Sequence, residues 1–340
     1  VPYRGGYSAF VRQRAERELT LRRAVEKQQA FIARQEDYIR RNIAGQNTAQ
    51  AKGRRKLLAR LPRLSPPPGD AGAMYLRLEI GERGGDRVVQ TDRLAVAIGG
   101  RTLITGATVR AMRGDVIALV GPNGAGKSSL LKALCGLVPH TGAVTWRGAT
   151  LTRAARARTI AYLPQTPPVH WALTAHDVVA LGRLPHRSHG TALKAADLAA
   201  VATAMRQTDT AAFAARSVDR LSVGERARVL LARALAVDAP VLLADEPVAT
   251  LDPHHQLRVM ATLRQHAAHG RLVVTVLHDL GLAARFCTRV LLMSGGRIVA
   301  DGPPSAALAA ETIRTHYRVE PFITRHEDED LIAPWRPLAE

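Results

Sequence analysis

The chain has 340 residues and a formal net charge of +19, with 46% hydrophobic but only 4% aromatic residues. That length and hydrophobic content exclude a disordered chain and point to a core of Ala, Leu and Val, the material of helix-covered parallel sheets. Two cysteines, Cys135 and Cys287, exclude a disulfide framework, and no run of about 18 apolar residues marks a membrane-spanning helix, so a reducing, cytoplasmic setting with at most a peripheral membrane role is expected.

The charge is uneven: residues 1–70 hold 16 Lys and Arg against 6 Asp and Glu. Such a segment suits a polyanionic partner, or it is a solvated basic helix. Between Ser8 and Arg41 there is no Pro or Gly, and Val11, Val25, Ile32 and Ile39 share a seven-residue register broken only by Glu18. This predicts a long helix, interrupted at Gly45, then a second helix over residues 48–61 carrying Lys52, Arg54, Arg55 and Lys56. The pair would fold back as a basic helical hairpin over residues 1–64. Pro66, Pro67, Pro68 and Gly69 predict a stiff linker at 65–73, with one large domain over 74–340.

In that domain, short β-like runs at residues 75–80, 87–91 and 94–98 predict an antiparallel β edge, and residues 116–120 an apolar strand followed by a Gly-rich turn and a helix. Residues 170–220 are Ala-rich and read as an inserted helical subdomain, with Thr174 as a helix N-cap and Gly182 as a stop. Residues 241–244 and 272–277 are continuous apolar runs of the kind buried on both faces of a sheet. The fold class is therefore α/β with a mixed sheet.

Residues 121–128, Gly-Pro-Asn-Gly-Ala-Gly-Lys-Ser, match the pattern of a phosphate loop and sit directly after a strand and before a helix. The glycines let successive N–H groups turn towards phosphate oxygens, and the helix N-terminus adds its dipole. Gly121, Asn123, Gly124, Ala125, Gly126, Lys127, Ser128 and Ser129 are the predicted nucleotide contacts, Lys127 on the β- and γ-phosphates and Ser128 on Mg²⁺. Asp245 and Glu246 end a buried strand, where ligands collect in parallel sheets; Asp245 would hold Mg²⁺ and Glu246 would polarise the attacking water.

Residues 221–225, Leu-Ser-Val-Gly-Glu, precede a helix expected over 226–236 and are close to the LSGGQ signature of ABC ATPases. Around them stand Gln165 after a strand, residues 249–252 (Ala-Thr-Leu-Asp) and His278 after the run 272–277, in the order of the Q-loop, D-loop and H-loop of that family. The chain therefore resembles an ABC-type P-loop NTPase. The resemblance implies a head-to-tail dimer in which Ser222 and Gly224 of one copy cap the γ-phosphate bound by Lys127 of another, with Asp252 in the D-loop. It also implies that Gln165 senses Mg²⁺ and the attacking water, and that His278 holds the γ-phosphate and Glu246. The other eleven histidines, His254 and His255 among them, read as surface groups.

Two positions depart from the family. Val223 replaces the middle signature glycine, at a cost of about 1–2 kcal/mol if the backbone there is left-handed and harmlessly if φ is ordinary. An adenine-stacking aromatic is expected near Ile98, and residues 94–104 contain no Tyr, Phe or Trp.

Two subfamilies are visible. Residues 1–115, through Tyr3-Arg-Gly-Gly-Tyr-Ser8, Gln46-Asn-Thr-Ala-Gln-Ala-Lys-Gly-Arg-Arg55 and Arg83-Gly-Gly-Asp86, resemble the linker and second nucleotide domain of ABC-F translation factors, which implies contact with ribosome-bound tRNA through residues 1–64. From about residue 136 onward, Ala161-Tyr-Leu-Pro-Gln165, Val179-Ala-Leu-Gly-Arg-Leu-Pro-His186, His255-Gln256 and Pro334-Trp-Arg-Pro337 resemble the ATPases of iron-chelate, haem and cobalamin importers. That resemblance implies a permease partner gripped by residues 170–220 and a place peripheral to the inner membrane. The expectation is a hybrid chain whose favoured role is transport-coupled hydrolysis of ATP with Mg²⁺.

Overall fold

The computed structural model describes residues 87–165, 173–187, 191–327 and 329–338, helix α1 (Thr48–Arg60) and short helical pieces between residues 27 and 40. The chain divides into two units, residues 1–79 and 80–340. The expected linker, the β-like run at 75–80, the start of the long helix and the break at Gly45 lie outside the described residues.

In the first unit, Arg54 Nη1 donates to Gln35 Oε1 at 2.9 Å, so the two helical stretches lie side by side. Arg55 and Lys56 are exposed.

The second unit opens with β1 (Arg87–Ile98) and β2 (Arg101–Met112), joined by a tight Gly99-Gly100 turn with φ of +57° and +77°. Positive φ at both turn positions matches the twist of the paired strands, and glycine reaches it without strain. The runs expected at 87–91 and 94–98 are one strand: Arg93 turns to φ +43° at a register irregularity, after which Leu94 and Val96 return to the core. β3 (Val116–Val120) then leaves for a second sheet, and β4 (Thr141–Trp146) comes back to pair with β1.

The second sheet adds β5 (Ile160–Leu163), β6 (Val241–Asp245), β7 (Leu272–Val276), β8 (Arg289–Ser294) and β9 (Arg297–Gly302), in the order β5-β6-β7-β3-β8-β9. All pairings are parallel except β8 with β9. Every residue of β3, β6 and β7 is buried, which is why these strands read as continuous apolar runs. In β3, Ile117 and Leu119 face a core shared with the antiparallel sheet and α2 (Lys127–Leu134). Val116, Ala118 and Val120 face the other core.

That other core takes the helical subdomain and the longer helices. α3 (Arg153–Thr159) precedes β5, and α4 (Ala175–Ala180) starts at Thr174, whose hydroxyl accepts from Asp177 N at 3.1 Å. α4 ends at Ala180, just before Gly182, and residues Leu181–His186 continue as a 3₁₀ turn. The glycine is there for contact, since a methyl group on it would lie 2.3 Å from the carbonyl oxygen of Arg233. α5 (Ala195–Gln207) and α6 (Val223–Ala236) pack beside this turn. Arg183, buried, donates to Asp197 Oδ1 at 2.9 Å and to the carbonyls of Ala236 and Val237 at 2.8 and 3.2 Å, closing the C-terminus of α6.

α7 (Pro253–Ala268) and α8 (Leu280–Phe286) pack against β7 and β3, and α9 (Pro304–Ala307) and α10 (Ala310–Tyr317) follow the sheet. The chain ends in a hairpin of β10 (Val319–His326) and β11 (Glu329–Pro337), which the sequence reading did not anticipate. Ile332 inserts into the core, Glu329 pairs with Arg285 of α8 at 2.5 Å, and Trp335 stays 72% exposed. Among the described residues no helix is long and apolar enough to cross a membrane.

Candidate functional site

The carboxyl ends of β3, β6 and β7 meet at one cleft, the usual position for a ligand in a parallel sheet. After Val120 the backbone turns through Gly121 at φ +143°, where a methyl group would fall 2.0 Å from the carbonyl oxygen of Met293. Gly126 caps α2 at φ +97°, and a methyl group there would lie 2.7 Å from the carbonyl oxygen of Leu103. Both positions exclude any side chain, so the loop is pressed between β2 and β8. The cleft above it measures about 220 Å³ and is lined by Leu103, Asn123, Gly124, Ala125, Gly126, Lys127, Ser128, Ser129, Glu246 and His278. Loop N–H groups and the positive end of α2 suit this cleft to phosphate.

Lys127 is 6% exposed and donates to the carbonyls of Gly121 and Pro122 at 2.7 and 3.0 Å. Burial lowers its pKa, and the Glu246 and Asp245 carboxylates work against that shift. Asp245, 2% exposed at the end of β6, accepts from Ser128 Oγ at 3.0 Å. Burial raises its pKa, the Ser128 bond lowers it, and the Glu246 charge raises it again. A hydroxyl and a carboxylate side by side are hard oxygen donors of the kind Mg²⁺ takes, with phosphate oxygens and water completing its shell. Among the described residues no group of three or more His, Cys, Asp or Glu side chains is placed to hold a metal by itself. The donor set therefore fits a cation that arrives with phosphate.

Glu246 follows at φ +53°, a left-handed conformation uncommon for a non-glycine residue and frequent at functional sites. Gln165 Nε2 donates to its Oε2 at 2.7 Å, and His278 Nε2 stands 2.7 Å from its Oε1, which puts the imidazole proton on Nε2. Three residues from separate strand ends thus meet on one carboxylate, each of its oxygens engaged and the whole group next to the phosphate loop.

Ser222, Gly224 and Asp252 do not line this cleft. Ser222 caps α6, accepting from Glu225 N at 3.2 Å while its own N–H donates to the Glu225 carboxylate at 2.9 Å. This reciprocal cap starts the helix at Val223, three residues before the predicted start. Val223 is 63% exposed and is not among the positive-φ residues, so the cost of a left-handed backbone does not arise there. A methyl group on Gly224 would lie 3.5 Å from Leu251, which puts the signature next to the D-loop. Asp252 caps α7, and its two carboxylate oxygens lie 3.0 and 2.9 Å from His255 Nδ1.

One histidine differs from the surface reading: His266 is buried, its pKa pushed down to about 4 by burial and by the Arg271 charge. The sequence reading also missed Leu103, which lines the cleft, and Tyr162, whose hydroxyl is held protonated by burial and by the Asp245 charge. Only the place of Tyr162 in the run before Gln165 hinted at its position.

A family model described as ABC transporter matches residues 104–249, and a second model with the same description matches residues 1–77. The chain is 42% identical over 287 residues to the hemin import ATP-binding protein HmuV of Streptomyces coelicolor, an alignment covering 82% of this chain and 98% of that protein. It is 44% identical over 230 residues to the cobalamin import ATP-binding protein BtuD of Halobacterium salinarum, covering 66% of this chain and 57% of that one. A solved metal-chelate type ABC transporter in an inward-facing conformation matches with a TM-score of 0.65 over 74% of this chain and 98% of that one; at 22% identity this is a likeness of fold. Identity of 42% sustained over most of the chain goes further than fold, and it places the protein in the ABC transporter family, among the ATP-binding subunits that hydrolyse ATP.

Proposed function

We propose that the chain powers import of haem, cobalamin or a related metal chelate, hydrolysing Mg²⁺-bound ATP in a dimer of nucleotide domains joined to membrane permease subunits. The observation behind the hydrolytic role is Glu246, whose carboxylate is fixed by Gln165 and His278 at 2.7 Å each beside the phosphate loop. The direction and class of cargo rest on the import relatives named above.

In this reading Gly121, Asn123, Gly124, Ala125, Gly126, Lys127 and Ser129 hold the β- and γ-phosphates, and Ser128, Asp245 and Gln165 hold Mg²⁺. The cation supplies charge neutralisation on the phosphate oxygens. Glu246 accepts the proton of the attacking water as its oxygen bonds to the γ-phosphorus and the bond to the β–γ bridging oxygen breaks. His278 keeps the carboxylate aimed. Ser222 and Gly224 of a second copy close the site, with Asp252 beside them, because one chain separates these residues from its own cleft. The helical subdomain at residues 170–220, joined to the site through Gln165, is the part that carries closure to the permease. The relatives named above do not support the ribosome-associated alternative.

Lys127→Ala removes nucleotide binding, whereas Glu246→Gln keeps it, lowers hydrolysis by about 10²–10⁴-fold and traps an ATP-bound dimer. Wild-type turnover in Glu246→Gln overturns the assignment of the base. Failure of reconstituted haem- or cobalamin-importer permeases to stimulate the wild-type chain overturns the transport role.

A further inference from the structure

The start of α6 is held from outside its own helix. Ser222 and Glu225 cap it reciprocally, and the Glu225 carboxylate has a further donor. Arg216 Nη1 donates to Glu225 Oε1 at 3.3 Å, while Oε2 accepts from Ser222 N at 2.9 Å. Through Nη2 the same guanidinium donates to the carbonyl of Arg220, two residues before Ser222, at 3.2 Å. Its Cζ lies 6.0 Å from the centroid of the buried Phe213 ring. One side chain therefore holds both the residue that caps the signature and the backbone that enters it.

The backbone of Arg216 is tied elsewhere. Its carbonyl accepts from Ala175 N at 2.9 Å, the Ala214 carbonyl accepts from His176 N at 2.9 Å, and Val218 N donates to the Leu173 carbonyl at 2.9 Å. These bonds use the free N–H groups at the start of α4 to fix residues 214–218 to the entrance of the helical subdomain. Arg216 thus has its backbone on that entrance and its side chain on the signature. Its side chain is 50% exposed and that of Glu225 25%, and a pair so open to water contributes little to stability. What the contact supplies is direction.

We infer that Arg216 is a positioning residue for the signature: acting through Glu225, it aims the Ser222 hydroxyl and the first N–H groups of α6 at a γ-phosphate bound by another copy. The inference rests on the two-copy site given under Proposed function. Arg216 does not line the cleft of its own chain. Its loss therefore leaves ATP binding by a single copy intact and acts only when two copies close on the nucleotide.

The test uses the full chain carrying Glu246→Gln, with Mg²⁺ and ATP. It measures ATP affinity in dilute protein and the protein concentration at which dimers form. Adding Arg216→Met keeps an apolar stem over Phe213 and removes the donors. The melting temperature then moves by no more than about 4 °C, and ATP affinity stays within about twofold. Dimers form only at about tenfold higher protein concentration, the loss expected when one charge-assisted hydrogen bond no longer orders the closing surface. Arg216→Lys, which keeps the charge, recovers part of that loss. Glutamine at 225 preserves the reciprocal cap, so Arg216→Met/Glu225→Gln dimerises no worse than Arg216→Met alone. Unchanged dimerisation in Arg216→Met overturns the inference. So do losses that multiply in the double variant, since Arg216 would then act independently of Glu225, and so does a fall in ATP affinity that matches the fall in dimerisation, which marks a general role in folding. If the chain with Glu246→Gln and Arg216 intact binds ATP but stays monomeric, the two-copy site itself falls, and the inference with it.

Discussion

Val223 occupies the first turn of α6 with its side chain exposed and its backbone outside the left-handed region. In a left-handed position, replacement by glycine would relieve strain and stabilise the protein. Here it removes side-chain restraint from a helical residue, so Val223→Gly should destabilise by up to about 1 kcal/mol, seen as a lower Tm in thermal unfolding. A higher Tm would show a left-handed backbone after all. His278 gives a second residue-scale prediction. Its contact with Glu246 Oε1 aims a carboxylate that Gln165 holds from the other side, so His278→Ala should lower hydrolysis by about 10²-fold or more while nucleotide affinity stays near wild type. Steady-state kinetics set against equilibrium binding check this split. A parallel loss of affinity would mean that His278 shapes the cleft instead of the base.

At the scale of elements, α6 is secured at both ends by side chains from other segments or from its own first turn. Ser222 and Glu225 close its N-terminus, and Arg183 closes its C-terminus while pairing with Asp197. Arg183→Met strips a partner from Asp197 and from the last carbonyls, so it should melt lower than the double variant Arg183→Met/Asp197→Leu, in which no carboxylate is left unpaired. The reverse order of melting temperatures would mean that the carboxylate is sustained by its backbone contact with Lys194 alone. α7 carries a pH dependence. His266 is buried against Arg271, with Asp238 and His269 also near, and its pKa in the fold is about 4. Below the ordinary histidine value of about 6.5 the unfolded chain takes up a proton that the folded chain refuses, so stability present at pH 7 is lost as pH falls from 6.5 towards 4, by about 2–3 kcal/mol. Denaturation across this range should show a flatter acid limb for His266→Gln. An unchanged limb would place the titration elsewhere.

At the scale of the whole molecule, the two units make separable predictions. The basic first unit has exposed Arg55 and Lys56, while the groups read as catalytic belong to the second. Deleting residues 1–64 should leave ATPase activity and its stimulation by a permease intact. If ribosomes stimulate the full chain, and the effect and co-sedimentation vanish with residues 1–64, the import reading is wrong. A steep loss of ribosome binding with added salt would mark that contact as phosphate neutralisation.

The sequence by itself determined the α/β class, the phosphate loop and the paired acids at a strand end, because each is written in local spacing or in an uninterrupted apolar run. Residues 116–120 and 241–244 announced their burial in this way, and Thr174 its cap. Only the tertiary structure decided what meets what. Gln165, Glu246 and His278 are separated by long stretches of chain, and their convergence depends on the parallel order of β5, β6, β7 and β3. The role of Gly182 depended on how closely α6 approaches, and that of Leu103 on the packing of a hairpin against the loop. The β10–β11 hairpin was illegible for a related reason: cross-strand pairing and the burial of Ile332 against the core are non-local, and no short window of sequence records the partner.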